Sequence, residues 1–347
     1  MTQFGLVMEP SAGYTARLAG KIEAMGFDYL LCPDTQNLAP DPYGQLSLAS
    51  ATTTSLQLGT GVTNPITRDA AVTATALMSL QQESMQNGGR GRTICVIGRG
   101  DSSAAHIGKH NATTKQLRTY VKQLQAYMHG ETIMRGEKES ALRWLKGLDI
   151  PPVPVDIACT GPKTIQMAVE TGDRISFAVG SAPERITWAI NTATEQLQKI
   201  GRSRDSVSIG AFINLVCDPD EQRAINIGRM IAGMVAHFAG MKNASLDHLP
   251  PQLKELAAHM QKQYDMDNHA QEEAGHSTEV SDDFVNWFSI CGPAKKCEQR
   301  LKSIIDLGLD HIYILAGSPI AHPHGERQAG MVEQSRLFAE QVMPKFK

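Results

Sequence analysis

Three short stretches of this chain combine glycines with small polar residues in a way that suits a flat, phosphorylated ligand. They are Gly59-Thr60-Gly61-Val62-Thr63-Asn64-Pro65, Val96-Ile97-Gly98-Arg99-Gly100-Asp101-Ser102-Ser103 and Ala158-Cys159-Thr160-Gly161-Pro162-Lys163-Thr164. In the first, two glycines let backbone approach a planar group, and Thr63 and Asn64 offer short polar side chains; a plain turn closed by Pro65 would read the same way. In the second, backbone N–H groups beside Arg99 could hold a phosphate or a ribityl chain. The third opens a helix at Pro162, where proline suits the first turn and the unpaired N–H groups attract anions, with Lys163 adding positive charge. An ordinary helix start explains that stretch equally well. The second stretch is not the dinucleotide fingerprint, because its third glycine is missing. Gly108-Lys109-His110 is not a P-loop, because the upstream glycine is misplaced and no Ser or Thr follows the lysine. Two carboxylates, Glu9 and Asp34, are the best candidates for proton transfer or substrate binding. Each could instead be tied to a neighbouring helix N-terminus.

These residues all follow short apolar runs. Such runs occur at residues 3–8, 27–32, 56–62, 93–97, 153–159, 174–179, 207–217 and 311–315. Several are almost continuously apolar, as parallel strands covered by helices must be. Between them lie helical periodicities. From Leu117 the apolar residues Tyr120, Val121, Leu124, Tyr127 and Met128 recur at offsets of 3, 4, 7, 10 and 11. One joint recurs between helix and strand: Gly26-Phe27-Asp28-Tyr29, Gly308-Leu309-Asp310-His311 and the related Thr171-Gly172-Asp173-Arg174. Glycine there can take the left-handed conformation that ends a helix. The pattern predicts a single domain over residues 1–347, an α/β (β/α)8 TIM barrel with its site at the C-terminal ends of the strands. Residues 221–283 break the rhythm and read as a helical insertion after the seventh strand. Residues 131–149 form a smaller polar interruption.

Composition narrows the partners. The 347 residues carry a formal charge of −3 without blocks of one sign, which argues against nucleic acid or a membrane surface. No apolar run approaches the roughly 20 residues of a membrane span, and the start of the chain has no secretory pattern. A cytoplasmic location is expected. The 6 cysteines are scattered and read as buried and reduced, and the 11 histidines show no metal-ligand spacing, so no metal is expected. The segment around Phe284, Trp287 and Phe288, and His322-Pro323-His324, could line a pocket or serve only packing and a polar loop.

The combination Leu58-Gly59-Thr60-Gly61-Val62-Thr63-Asn64-Pro65, then Ile97-Gly98-Arg99-Gly100-Asp101-Ser102-Ser103 with Ile107-Gly108, then Gly161-Pro162-Lys163, resembles the bacterial luciferase-like superfamily, and within it the methylenetetrahydromethanopterin reductase branch. The resemblance implies a barrel holding FMN or the deazaflavin coenzyme F420 over its mouth, with a non-prolyl cis peptide at Gly61-Val62. It implies cofactor contacts at Gly61, Val62, Thr63 and Asn64, phosphate contacts at Gly98, Arg99, Gly100, Asp101 and Ser102 and at Gly161, Pro162 and Lys163, and Gly180 and Ser181 nearby. Relatives often carry an Asp-His pair after the second strand, whereas this chain has Asp34-Thr35. Asp34 and Asn64 are therefore the expected catalytic residues, and Glu9 and Asp34 the expected substrate contacts. The leading expectation is a monooxygenase that uses reduced FMN, supplied by a separate flavin reductase, to insert one oxygen atom of O2 into a small organic substrate. One alternative is an F420-dependent reductase or dehydrogenase transferring a hydride. Another is a luciferase-like partner subunit without catalysis. A homodimer or higher homo-oligomer is expected.

Overall fold

The computed structural model describes residues 1–238, 251, 254, 280–320 and 325–347. The chain runs β1 (Gln3–Val7), α1 (Thr15–Ala24), β2 (Tyr29–Cys32), α2 (Pro42–Ser50), β3 (Gln57–Thr63), α3 (Ala70–Gly88), β4 (Thr93–Ile97), α4 (Ser102–Ala105) and α5 (Thr114–Met128). After the hairpin β5 (Ile133–Arg135) and β6 (Lys138–Ser140) come β7 (Val155–Cys159), α6 (Pro162–Thr171), β8 (Arg174–Phe177), α7 (Pro183–Ile200), β9 (Ser208–Cys217) and α8 (Glu221–Phe238). The described remainder is α9 (Asp282–Phe288), β10 (Ile290–Gly292), α10 (Ala294–Ile305), β11 (His311–Leu315), α11 (Gly325–Gln334) and α12 (Arg336–Gln341). Strands pair in the order β11-β1-β2-β3-β4-β7-β8, and β9 joins β8 to β11 to close the ring; every one of these pairings is parallel. The fold is the expected α/β (β/α)8 TIM barrel.

The insertion after the seventh barrel strand begins as expected with α8; its continuation up to residue 279 lies outside the described residues apart from 251 and 254. β10, which adds to the end of β9, and the β5–β6 hairpin were not expected.

The repeated joint has a reason beyond the helix stop. Gly26 and Gly308 take φ of 87° and 104°, the left-handed region that favours glycine. Gly172 does not; its φ is −83°, and a Cβ there would stand 2.7 Å from the Arg174 carbonyl. What all three share is the aspartate that follows, two residues after Gly26 and Gly308 and directly after Gly172. Asp28 Oδ2 accepts from Phe4 N (2.7 Å), Asp173 Oδ2 from Val155 N (2.8 Å) and Asp310 Oδ2 from Ile209 N (2.8 Å). Each carboxylate thereby caps the start of the strand next to its own.

Inside the barrel, towards those strand starts, lies a polar layer. Asp156 Oδ2 accepts from the Ser176 hydroxyl (2.8 Å) and the Tyr313 hydroxyl (2.9 Å), with Arg174 Nε at 3.6 Å and His311 Nε2 at 3.3 Å. Because the Ser176 hydroxyl donates to Asp156, its oxygen is left to accept from His311 Nε2–H at 2.8 Å, and Nδ1 then accepts from Ser208 at 3.0 Å. This assigns a neutral His311 from the hydrogen-bond network. Burial and then Arg174 push the His311 pKa down, in agreement with that tautomer. Burial alone would raise the Asp156 carboxyl, but His311, Arg174 and Ser176 outweigh it and hold it below its ordinary value.

Gly210 gives this layer its room. A Cβ there would meet His311 Cδ2 at 2.2 Å and Nε2 at 2.3 Å. Gly210→Ala should therefore displace the imidazole and cost about 1–3 kcal/mol, the usual range for overpacking a core, read from urea unfolding midpoints.

Candidate functional site

A cavity of about 550 Å³ opens at the C-terminal ends of the strands. Seven barrel strands contribute to it at or just beyond their ends, with Val7 and Glu9, Pro33 and Thr35, Gly61, Val62 and Asn64, Gly98 and Arg99, Ala158 and Thr160, Ala178, and Leu315 with Ser318, and β9 contributes Phe212 from its middle. Its two sides differ in chemistry. One is made of Gly98, Arg99, Gly100, Asp101, Ser102, Ser103, Asn111, Thr160 and Thr164. The other is apolar, with Met230, Ile231, Met234 and Val235 from α8 and Met331 from α11, interrupted by Glu9, Ser318, Arg327 and Gln328.

The peptide bond Gly61-Val62 is cis, and the β3–β4 register shifts between Gly61 and Thr63, so the chain bulges where the resemblance implied. The bulge is tied on both flanks: Val62 O accepts from Asp34 N (3.2 Å), and Thr63 O from Gly98 N (2.9 Å). A Cβ on Gly61 would stand 2.6 Å from Leu31 Cβ, so no larger residue fits. Asn64 fixes two loops at once. Its Nδ2 donates to Ser103 Oγ (3.0 Å), and its Oδ1 accepts from Ile66 N (2.9 Å) and Thr67 N (3.1 Å). Gly100, with φ of 75°, packs so closely on Asn64 that a Cβ would reach its Cβ at 2.8 Å.

Asp34 is not at the cavity surface. It is 2% exposed, accepts from the Thr63 hydroxyl at 2.8 Å and lies 3.5 Å from Arg68 Nε. Burial pushes its carboxyl above the ordinary carboxylate value, against the Thr63 hydrogen bond and Arg68. Thr63 also receives a hydrogen bond from Tyr43 (3.1 Å) and faces away from the cavity. Both residues hold the bulge from behind. Glu9, in contrast, lines the cavity, with Oε2 accepting from Gln328 Nε2 at 3.0 Å.

The third stretch ends in α6, whose N-cap is Gly161 without a side-chain cap. A Cβ built on Gly161 meets nothing within 4 Å, so the helix N-terminus is uncovered. Thr160 and Thr164 line the cavity beside it, while Gly161, Pro162 and Lys163 sit at its edge and Lys163 is exposed. Gly180 and Ser181 are turned elsewhere. A Cβ on Gly180 would strike the Phe288 ring at 2.5 Å, and Ser181 N donates to Phe288 O at 2.9 Å. Phe284 and Phe288 are fully buried and Trp287 donates to Glu184 (2.6 Å), so this aromatic segment packs rather than lining the cavity. His322, Pro323 and His324 lie outside the described residues.

Sequence reasoning missed Gln328, Arg327, Ser318 and the methionines of α8. Gln328 meets Glu9 across 319 residues of chain, which no local pattern can show. All cysteines are buried and free, as expected. No group of three or more metal-ligating side chains is found among the described residues, and no described helix is long and apolar enough to cross a membrane.

The family model for Luciferase-like monooxygenase matches residues 2–311. The chain belongs to this family. Among relatives of this luciferase-like chain is the 5,10-methylenetetrahydromethanopterin reductase of Methanolobus tindarius, 28% identical over 345 residues, covering 95% of this chain and 98% of the relative. A solved coenzyme F420-dependent tetrahydromethanopterin reductase from Methanopyrus kandleri superposes with a TM-score of 0.76 at 22% identity, covering 100% and 99% of the two chains. An F420-dependent secondary alcohol dehydrogenase, solved with an F420-acetone adduct, gives 0.74 at 19% identity, covering 100% and 99%. The luciferase-like protein is thus an oxidoreductase, and the partner-subunit alternative falls away. The expectation of an FMN monooxygenase is overturned, because the relatives are named as reductases and these structural neighbours as F420-dependent enzymes.

Proposed function

We propose that the protein is a coenzyme F420-dependent oxidoreductase that moves a hydride between the deazaflavin and a small organic molecule. The observation that carries this reading is the division of the cavity into a glycine- and hydroxyl-rich side and an apolar side bearing one open carboxylate, Glu9. The residues present fit such a cofactor. The uncovered N-terminus of α6 at Gly161, flanked by Thr160, Thr164 and Lys163, suits a phosphate. Gly98, Arg99, Gly100, Asp101 and Ser102 would follow the tail, and Gly61, Val62 and Asn64 would support the ring. When bound, F420 supplies a two-electron hydride carrier.

The chain's own part is positioning, exclusion of water and handling of one proton. Thr63 and Asp34 brace the bulge and do not touch the ligand. The α8 methionines and Met331 keep the reacting side dry. Glu9, oriented by Gln328, holds or accepts the proton that must accompany hydride transfer to or from a carbon–nitrogen or carbon–oxygen bond. Thr35 lines the cavity at the place where the family resemblance would often put a histidine, and Glu9 is then the proton-handling group on this side. A separate flavin reductase has no part in this scheme.

Titration of the purified protein with oxidised F420, followed by quenching of the cofactor's fluorescence, should show binding with a Kd on the order of micromolar or tighter. FMN should bind far more weakly. Tight FMN binding with no F420 binding would overturn the assignment.

A further inference from the structure

We propose that Arg327 reads an anionic group, a carboxylate or a phosphate, on the ligand that occupies the apolar side of the cavity. The inference deepens the F420-dependent reading and rests on it for the identity of the cofactor. α11 turns two consecutive side chains to the cavity, and their commitments differ. The Gln328 amide is spent on Glu9 at 3.0 Å. The Arg327 guanidinium has, among the described residues, one hydrogen-bond partner, the Met230 thioether at 3.3 Å. Sulfur of this kind is a weak acceptor, and a guanidinium has five N–H donors in a rigid fork.

The other arginine lining the cavity is better provided for. Arg99 donates through Nε to the Ala112 carbonyl and through Nη2 to Asn111 Oδ1 at 3.3 Å, so two of its nitrogens meet oxygen acceptors of the protein. Arg327 is half-buried beside Met230, Ile231, Met234 and Met331, where unmet donors are costly. Its backbone is pinned, since Ser318 Oγ donates to the Arg327 carbonyl at 2.9 Å. It also lies in the first turn of a ten-residue helix, where the helix dipole adds to its positive field rather than relieving it. Glu9 is turned to Gln328 and does not pair with it. The complement to this corner is therefore an incoming anion, held bidentately.

Such an anion could belong to the substrate or to the tail of the cofactor, and the test separates them. Calorimetric titration of F420-loaded protein with glutarate and, separately, with inorganic phosphate should show binding that weakens by roughly tenfold to a hundredfold in Arg327→Gln. Arg327→Lys should recover only part of it, and Lys122→Gln, at an exposed position of α5 outside the cavity lining, should leave it unchanged. F420 affinity unaltered by Arg327→Gln assigns the anion to the substrate; F420 affinity reduced tenfold or more assigns it to the cofactor tail. Equal titrations for wild type and both Arg327 variants, or no anion binding in any of them, would overturn the proposal. The unloaded protein is titrated in parallel. If F420 fails to bind while glutarate binding still depends on Arg327, the cofactor assignment is wrong and the anion contact stands.

Discussion

Asp156→Asn is expected to destabilise the fold by about 3–5 kcal/mol, the usual result of removing one member of a buried charged cluster. The change keeps the side chain's shape but leaves Arg174, whose side chain is 14% exposed, without its carboxylate, and returns weaker acceptors to Ser176 and Tyr313. Urea unfolding at neutral pH reads the loss. A change below about 1 kcal/mol would mean that solvent or neighbouring dipoles already satisfy Arg174. The same layer sets a pH dependence. The folded-state pKa of His311 is depressed, so its contribution to stability is present above the unfolded value of about 6.5 and is lost as pH falls towards the folded value. Asp156 is likewise depressed, and its contribution is lost at lower pH still, below about 3.9. The unfolding midpoint of the wild type should therefore begin to fall below about pH 6.5. His311→Gln should remove that first part of the decline.

Glu9→Gln should lower turnover by about 10²- to 10⁴-fold, the range supplied by a positioned acid or base. The amide is nearly isosteric and can still meet Gln328, so folding and F420 affinity should stay within about twofold of wild type. Single-turnover oxidation or reduction of bound F420, followed by its absorbance, separates the chemical step from binding. Unchanged turnover would move the proton to solvent and leave Glu9 as a substrate contact. Asp34→Asn makes the control. It removes a carboxylate that lies behind the bulge, so its effect should appear in stability and cofactor affinity together.

The barrel was legible because each strand is buried on both faces and so reads as an apolar run. The eight observed barrel strands differ at their ends from those runs by at most two residues. The β5–β6 hairpin escaped notice because its exposed strands, Ile133–Arg135 and Lys138–Ser140, carry charges where a core strand would alternate. β10 is too short to leave a pattern. At the site, the residues that touch the cavity through backbone geometry, Gly61, Gly98 and Gly100, were visible as glycines out of place in or beside strands. Asp34 was misjudged because sequence position shows that a carboxylate ends a strand but not which way it turns; Thr63 and Arg68 turn it away. Gly180 was misjudged for a related reason, since a glycine needed against Phe288 looks like one needed against a ligand. The choice between two flavin-type cofactors was not legible, because these loops would meet the ring and tail that both share. The names of the relatives count against FMN and support the F420 reading proposed above.

The three aspartates that cap neighbouring strand starts, Asp28, Asp173 and Asp310, all sit at the end of the barrel opposite the cavity. Closure of the ring is thus secured by groups that never meet a ligand. The loops at the other rim can be exchanged or lengthened without loosening the staves, as the insertion that begins with α8 already shows. A scaffold fastened in this way can change its cofactor and its substrate by altering loops alone.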